Sequence, residues 1–501
     1  ILTALFILAA TGMSAKDFVI TSLRGFSTGS VTFLVAAGFS LIFGLLDVLN
    51  LAQGTLYMIG AYIGWTVYVR TDTFIDLVPP IFLILSGFAL NKLWTFLANR
   101  LKIKANLQKI IAWLLIIVGG IGIIMIFTRF PVAFWDLDNY ALSPITYSFM
   151  ADQGAPLPPI EAIFEDIFPL IATFGFIISS SLVAFGLALN KRQENVNIKI
   201  SWQDFIVFTL LVIVAVLVLI FNTPMTASLT ALSTNWLFVI AVLVAVISGI
   251  GLGGLLESTL IRPLYNRPIY QLMLTIGIGT IGIEVVQAIW GRPEFVFPRP
   301  EFFKGTGEGC PATSLAGLFT NNCSTVMLLG GRVRVYDEIF IPLVGVFILI
   351  AVWILLKKTR IGMIIRAGVQ DRQMVEALGI NVRRVFTLVF SLGVGLAAFG
   401  GVLSAPSIGL STGMGERLLL SALIALAVGG LTSYPGAALG SLLVGLIQQF
   451  LIKYGQIGIP IPFTDILFKP SPPIIPASTV LLMIVILLIL PGGLLGKKEH
   501  A

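Results

Sequence analysis

An all-α, polytopic bundle of membrane-spanning helices is predicted by three features of the sequence. Of its 501 residues, 57% are hydrophobic and 11% charged, where a soluble domain carries about 25% charged residues. The apolar residues fall in continuous runs, about fourteen in all, many near the length of about 20 residues that crosses a bilayer. Lys and Arg cluster in alternate loops between those runs, as in a multi-pass chain. The same composition excludes soluble enzymes, disordered chains and disulfide-rich secreted scaffolds. Strands of a membrane barrel would alternate apolar and polar residues over about ten positions. These runs are longer and continuously apolar, so helices, which satisfy their own backbone in lipid, are expected.

Taken in order, the expected spans are 1–13, 28–46, 52–69, 80–98, 110–128, 167–189, 205–221, 236–256, 270–290, 339–356, 385–404, 417–430, 437–452 and 479–495. The run 1–13 is short, and 417–430 and 437–452 leave room for one broken or partial helix. The segment 91–109 carries Lys92, Arg100, Lys102, Lys104 and Lys109 with no acid, and is expected inside the cell. The segment 129–166 has Arg129 against Asp136, Asp138, Asp152, Glu161, Glu165 and Asp166, and is expected outside. The segment 190–204, the strongly basic loop 357–384 and the tail Lys497–Lys498 are expected inside. Alternation through the spans reproduces all of these sides, with both termini cytoplasmic.

The rare residues exclude several chemistries. His500 is the single histidine, beside the C-terminus, and Cys310 and Cys323 are the two cysteines. A His/Cys metal cluster or a Ser-His-Asp triad in the core cannot be built from them. No metal or cofactor is expected. The net charge of +7 is accounted for by basic cytoplasmic loops, so nucleic acid is not an expected partner. Cys310 and Cys323 share the external loop 291–338, where a disulfide can form; two free thiols are the alternative. A P-loop would need G-x-x-x-x-G-K-[ST]. Gly492 to Lys497 is the nearest approach and fails on both spacing and the final hydroxyl.

Three groups of residues are candidates for function. Asn50, Gln53 and Thr55 are polar at the cytoplasmic start of a span; they either cap and pack helices or line a translocation path near a gate. Glu284 lies centrally in span 270–290 with Gln287 one turn on. A charge inside a span costs about 2.5–3.5 kcal/mol on insertion scales, which suits a pore or subunit contact as well as a buried hydrogen bond. The loop 357–384 holds a short amphipathic stretch from Gln370 to Leu378 that ends at Gly379, a good helix terminator. Asp371 near its start would oppose the helix dipole.

Four segments carry a resemblance to a known family. The first is Gly38-Phe39-Ser40-Leu41-Ile42-Phe43-Gly44 followed by Asn50-Leu51-Ala52-Gln53-Gly54-Thr55-Leu56-Tyr57-Met58-Ile59-Gly60-Ala61-Tyr62. The second runs from Glu257 to Pro268, with Thr275-Ile276-Gly277 and Trp290-Gly291 beyond it. The third holds Thr359-Arg360-Ile361-Gly362, Ile365-Arg366-Ala367, Gln370-Asp371 and Ala377-Leu378-Gly379-Ile380-Asn381. The fourth is Gly429-Gly430-Leu431-Thr432-Ser433-Tyr434-Pro435-Gly436-Ala437, with Pro491-Gly492-Gly493-Leu494-Leu495-Gly496 near the end. Their order and spacing across 25–70 and 236–496 resemble the permease subunits of branched-chain amino-acid ABC importers, the LivH type. Gln53 stands where that family usually has His.

The resemblance implies a type II-like ABC importer permease fold in a bacterial inner membrane. Residues 1–70 and 236–501 would form the core, and 71–235 a four-span insertion that keeps the downstream orientation. Loop 357–384 would be the ATPase-coupling loop, with Arg366, Gln370, Asp371, Glu376, Ala377 and Gly379 as its motif. The implied partners are a second permease subunit, two ABC ATPase subunits, an extracytoplasmic substrate-binding protein and the bilayer. The implied cargo is a branched-chain or other hydrophobic amino acid, and ATP hydrolysis would belong to the separate ATPases. The alternatives are a related permease for urea or amides, and a non-transporting scaffold that docks partners through 71–235. A secondary transporter would be expected to carry more intramembrane carboxylates.

Overall fold

A computed structural model of the chain describes residues 13–46, 49–101, 104–130, 132, 168–190, 202–265, 267–292, 294–307, 309–370, 372–379, 381–460 and 467–496. In chain order its helices are α1 (Ala15–Leu46), α2 (Gln53–Val69), α3 (Thr71–Ala89), α4 (Asn91–Arg100), α5 (Ala105–Phe127), α6 (Phe168–Asn190), α7 (Trp202–Ile220) and α8 (Asn222–Thr230). There follow α9 (Thr234–Leu256), α10 (Pro268–Trp290), α11 (Leu315–Asn321), α12 (Ile341–Lys358), α13 (Arg360–Gln370), α14 (Arg372–Ala377), α15 (Val382–Ile408), α16 (Met414–Gly429), α17 (Tyr434–Ile457) and α18 (Ile474–Ile489). The protein is an all-α multi-pass membrane bundle. Among the described residues, 10 helices are long and apolar enough to cross a membrane. Each expected span except 1–13 and 80–98 coincides with a helix, although α2, α16 and α18 are shorter than a full crossing. All but the last residue of the run 1–13, the tail Lys497–Lys498, His500 and most of 129–166 and 190–204 lie outside the described residues.

Two helices depart from the apolar runs. Helix α1 starts at Ala15, well before the expected 28, because its charges find partners. Ser14 caps it, its Oγ accepting from the Asp17 amide at 3.2 Å. Lys453 of α17 pairs with Asp17 at 2.8 Å, and Arg24 donates to Glu338 at 2.7 Å. The expected span 80–98 straddles a break at Leu90, between α3 and α4. Helix α3 begins earlier, at Thr71, and runs through Pro79 and Pro80. Membrane helices tolerate proline where neighbouring groups satisfy the freed backbone.

The described chain divides into two compact units, 1–68 with 234–501, and 69–233. In the first, α9 packs on α15, α15 on α1, α1 on α17, and α17 on α16, which meets α18. Helix α2 threads the middle, with Tyr57, Tyr62 and Trp65 fully buried. Small residues allow these approaches, as expected where lipid gives helices no hydrophobic drive to associate. At Gly38 the need is specific: a Cβ there would lie 2.4 Å from both Gln53 Nε2 and the Gly393 carbonyl oxygen. The second unit packs α5 on α6 and α3 on α7, around Leu83, Phe130, Phe176 and Ala215.

The segment 291–338 is more ordered than a loop. Phe295 bridges Leu410. The strands β1 (Thr325–Leu328) and β2 (Gly331–Arg334) form an antiparallel hairpin with Thr325 opposite Arg334. Cys310 and Cys323 are joined, with Cα atoms 5.5 Å apart. Asp337 accepts from Arg299 at 2.8 Å and from Ser407 at 2.5 Å, and Tyr336 donates to the Leu403 carbonyl at 2.7 Å. The segment is thereby fastened to the end of α15.

Gly38→Val should lower the thermal midpoint in detergent by an amount equivalent to about 1–3 kcal/mol of overpacking. Gly251→Ala, at a position with nothing within 4 Å of the added Cβ, should leave the midpoint unchanged. Equal midpoints for the two variants in intrinsic-fluorescence melting would sink the close-packing argument. For the sulfur pair, intact-mass analysis should find Cys310 and Cys323 resistant to alkylation until a reductant is added; labelling without reductant would count against the bond.

Candidate functional site

The polar start of α2 is built around one amide. Asn50 Nδ2 donates to Gln53 Oε1 at 3.0 Å, and Gln53 Nε2 donates to the Gly393 carbonyl of α15 at 2.8 Å. Thr55 Oγ1 donates to the Gly279 carbonyl of α10 at 3.2 Å. All three side chains are buried. The segment thus ties α2 to α15 on one side and to α10 on the other. In this conformation its polar atoms are engaged with one another and with backbone carbonyls. Gly54 extends the junction: a Cβ there would lie 2.4 Å from the Gly415 carbonyl oxygen, at the start of α16.

Glu284 is on α10, little more than one turn beyond the Thr55 contact at Gly279. It is exposed at the surface of the unit, beside exposed Ile281 and Val285, and Gln287 is half-buried one turn on. Asn50, Gln53 and Thr55 are therefore brought together, whereas Glu284 faces away from the core. A carboxylate among lipid-length apolar neighbours is costly unless water or protein covers it.

The loop 357–384 consists of two short helices. Thr359 Oγ1 accepts from the Gly362 amide at 3.1 Å and starts α13. Arg366 Nη1 donates to the Leu356 carbonyl at 2.8 Å, so this cation caps the end of α12, where the helix dipole favours positive charge. Gln370 ends α13, and Asp371 lies outside the described residues. In α14, Val375 is 4% exposed and packs with Leu41, Ile365, Val382, Phe386 and Val389. Met374 and Leu378 flank it at 63% and 71% exposure. Glu376 and Ala377 are exposed as well. Gly379 turns the chain with φ 81°, a left-handed conformation that glycine adopts without a Cβ penalty. Asn381 then caps α15, its side chain accepting from the Arg384 amide at 3.2 Å.

Sequence reasoning missed a polar cluster at the end of α9. Glu257 is fully buried and opens a π-helical turn, Glu257–Ile261. Arg262 donates to its two carboxylate oxygens at 3.2 and 2.8 Å, and Tyr265 donates to it as well. Arg262 also donates to Thr387 Oγ1 of α15 at 2.6 Å. The signal was available as an acid and a base just past the apolar run of α9, but the spacing of five residues does not mark a pair on a regular helix. Removing Arg262 would leave the buried Glu257 carboxylate without its cation, which is destabilising.

LivH of Escherichia coli K12, a high-affinity branched-chain amino acid transport system permease protein, is 26% identical over 277 residues, covering 54% of this chain and 78% of that protein. BraD of Pseudomonas aeruginosa, described in the same terms, is 30% identical over 172 residues, 34% of this chain and 51% of that one. The galactose/methyl galactoside import permease MglC of Haemophilus influenzae is 29% identical over 156 residues, 30% and 46% of the two chains. No solved structure shows a significant match. A sequence model of the family described as branched-chain amino acid transport system / permease component matches residues 206–490, from α7 through α18. The chain therefore belongs to that family of transport permease components.

Proposed function

We propose that the chain is the membrane-spanning subunit of an ATP-driven importer of branched-chain or other hydrophobic amino acids. It forms the path with a second permease subunit, and two separate ATPase subunits supply the energy. An extracytoplasmic binding protein delivers the substrate. The amino-acid assignment is supported by the family match and by the LivH and BraD relatives. The sugar permease relative covers a smaller part of the chain.

The observation that carries the reading is helix α14. It is anchored by Val375, and Met374 on it and Leu378 just beyond it are exposed, an apolar pair in a loop that also carries basic Arg360 and Arg366. Exposed apolar residues rimmed by charge suit a protein partner. The ATPases dock on this loop, with Glu376, Ala377 and Gly379 shaping the contact and Arg366 holding the loop to α12. The basic content of the loop supports a cytoplasmic position, and both termini lie on that side. Glu284 and Gln287 face the path or the second permease, and the Asn50–Gln53–Thr55 junction moves with the gate. Residues 71–235 are an insertion into the permease core, in line with the separate compactness of 69–233.

Leu378→Asp should leave membrane insertion intact, since the side chain is exposed, but abolish co-purification of the ATPases. Uptake of labelled leucine should fall by at least about tenfold, the effect of losing roughly 1.4 kcal/mol of binding. Undiminished uptake would reject the docking role. Glu284→Ala should reduce uptake by about tenfold at an unchanged thermal midpoint; full uptake would remove Glu284 from the path.

A further inference from the structure

A groove of about 500 Å³ opens between α9 and α15, lined by Ile250, Arg384, Thr387, Leu388, Ser391 and Leu392. Its chemistry changes along its length. Ile250, Leu388 and Leu392 give it apolar walls, continuous with exposed Ile247 and Leu243 on the membrane-spanning face of α9. At the end of α15 nearest the 357–384 loop it is basic. Arg384 is exposed and makes no ion pair among the described residues, and Arg383 beside it is exposed too. Arg262 reaches the same rim through Thr387, but buried Glu257 already balances its charge.

The local electrostatics are unfavourable as they stand. Arg383 and Arg384 occupy the first turn of α15, which contains no acid. The positive end of the helix dipole is at that turn, so it adds to their charge instead of opposing it. An anion placed at Arg384 relieves both terms. The apolar walls require that the anion carry a hydrocarbon chain. Basic pockets between membrane helices suit the head groups of anionic lipids.

We propose that this groove is a binding site for one anionic phospholipid. Its phosphate pairs with Arg384, and Ser391 offers a hydroxyl along the wall, while the Thr387 hydroxyl is already engaged by Arg262 and the Arg383 carbonyl. One acyl chain lies against Ile250, Leu388 and Leu392. The site needs only that the chain spans a bilayer, so it stands or falls apart from the transport reading.

The test is native mass spectrometry of the purified full-length chain, with any subunits that accompany it, equilibrated with phosphatidylglycerol or phosphatidylethanolamine. Phosphatidylglycerol should be retained preferentially. Arg384→Gln should weaken that retention about fivefold, the electrostatic share of one cation near a membrane surface. Leu388→Asp should weaken retention of both lipids. A photo-crosslinker at Leu392 should label lipid. Equal retention of the two lipids, an unchanged preference in Arg384→Gln, or crosslinking to another polypeptide would overturn the proposal. Displacement of phosphatidylglycerol by inorganic phosphate at millimolar concentration would also overturn it, since that result describes a simple anion site.

Discussion

The side-chain amide of Gln53 is the joint on which the middle of the molecule depends. It accepts from Asn50 and donates to the Gly393 carbonyl, and it fits because Gly38 and Gly393 have no side chains. Three helices, α1, α2 and α15, meet there at backbone distance. In a bilayer, close contact and hydrogen bonds must replace the hydrophobic drive that assembles soluble cores. A single amide closing three helices supplies both. Thr55, two residues on, attaches α10 to the same joint.

Charge is handled by the same economy. Asp17 with Lys453, Arg24 with Glu338, and Glu257 with Arg262 and Tyr265 each join elements distant in sequence or cap a helix end. These pairs extend helices past the apolar runs, because a paired ion near the membrane boundary no longer marks the end of a span. Asp337 and Glu338 gather Arg299, Ser407 and Arg24 into one network that holds the disulfide-bearing segment against α1 and α15. Glu284 has a different environment: it projects outward among apolar neighbours. Within one multi-pass chain, that contrast separates charges that join parts of the fold from one that is exposed at its surface.

The loop 357–384 shows how a modest sequence signal becomes a surface. Arg366 was expected as part of a coupling motif, and its guanidinium caps the carbonyl of Leu356. Val375 was not singled out, yet it anchors α14 and thereby decides that Met374 and Leu378 point outward. Two charges at the start of α15, Arg383 and Arg384, looked like ordinary members of a basic loop. Their position on the first turn of a helix beside an apolar groove gives them another use.

The sequence by itself determined the class of the protein, the positions of most of the spans and the segments 38–44, 50–62, 257–291, 359–381, 429–437 and 491–496 that carry the family resemblance. Those features rest on hydrophobicity, which is additive along the chain, and on local chemistry such as the turn at Gly379. Tertiary structure alone decided where α1 begins, that the expected span 80–98 breaks at Leu90, and which charges are paired. It also decided that Asn50, Gln53 and Thr55 are engaged while Glu284 is exposed. Several of these depend on partners far away in sequence: Lys453 for Asp17, Gly393 for Gln53, Thr387 for Arg262. The free energy of a polar group in a membrane depends on that partner, and only the folded chain brings the two together.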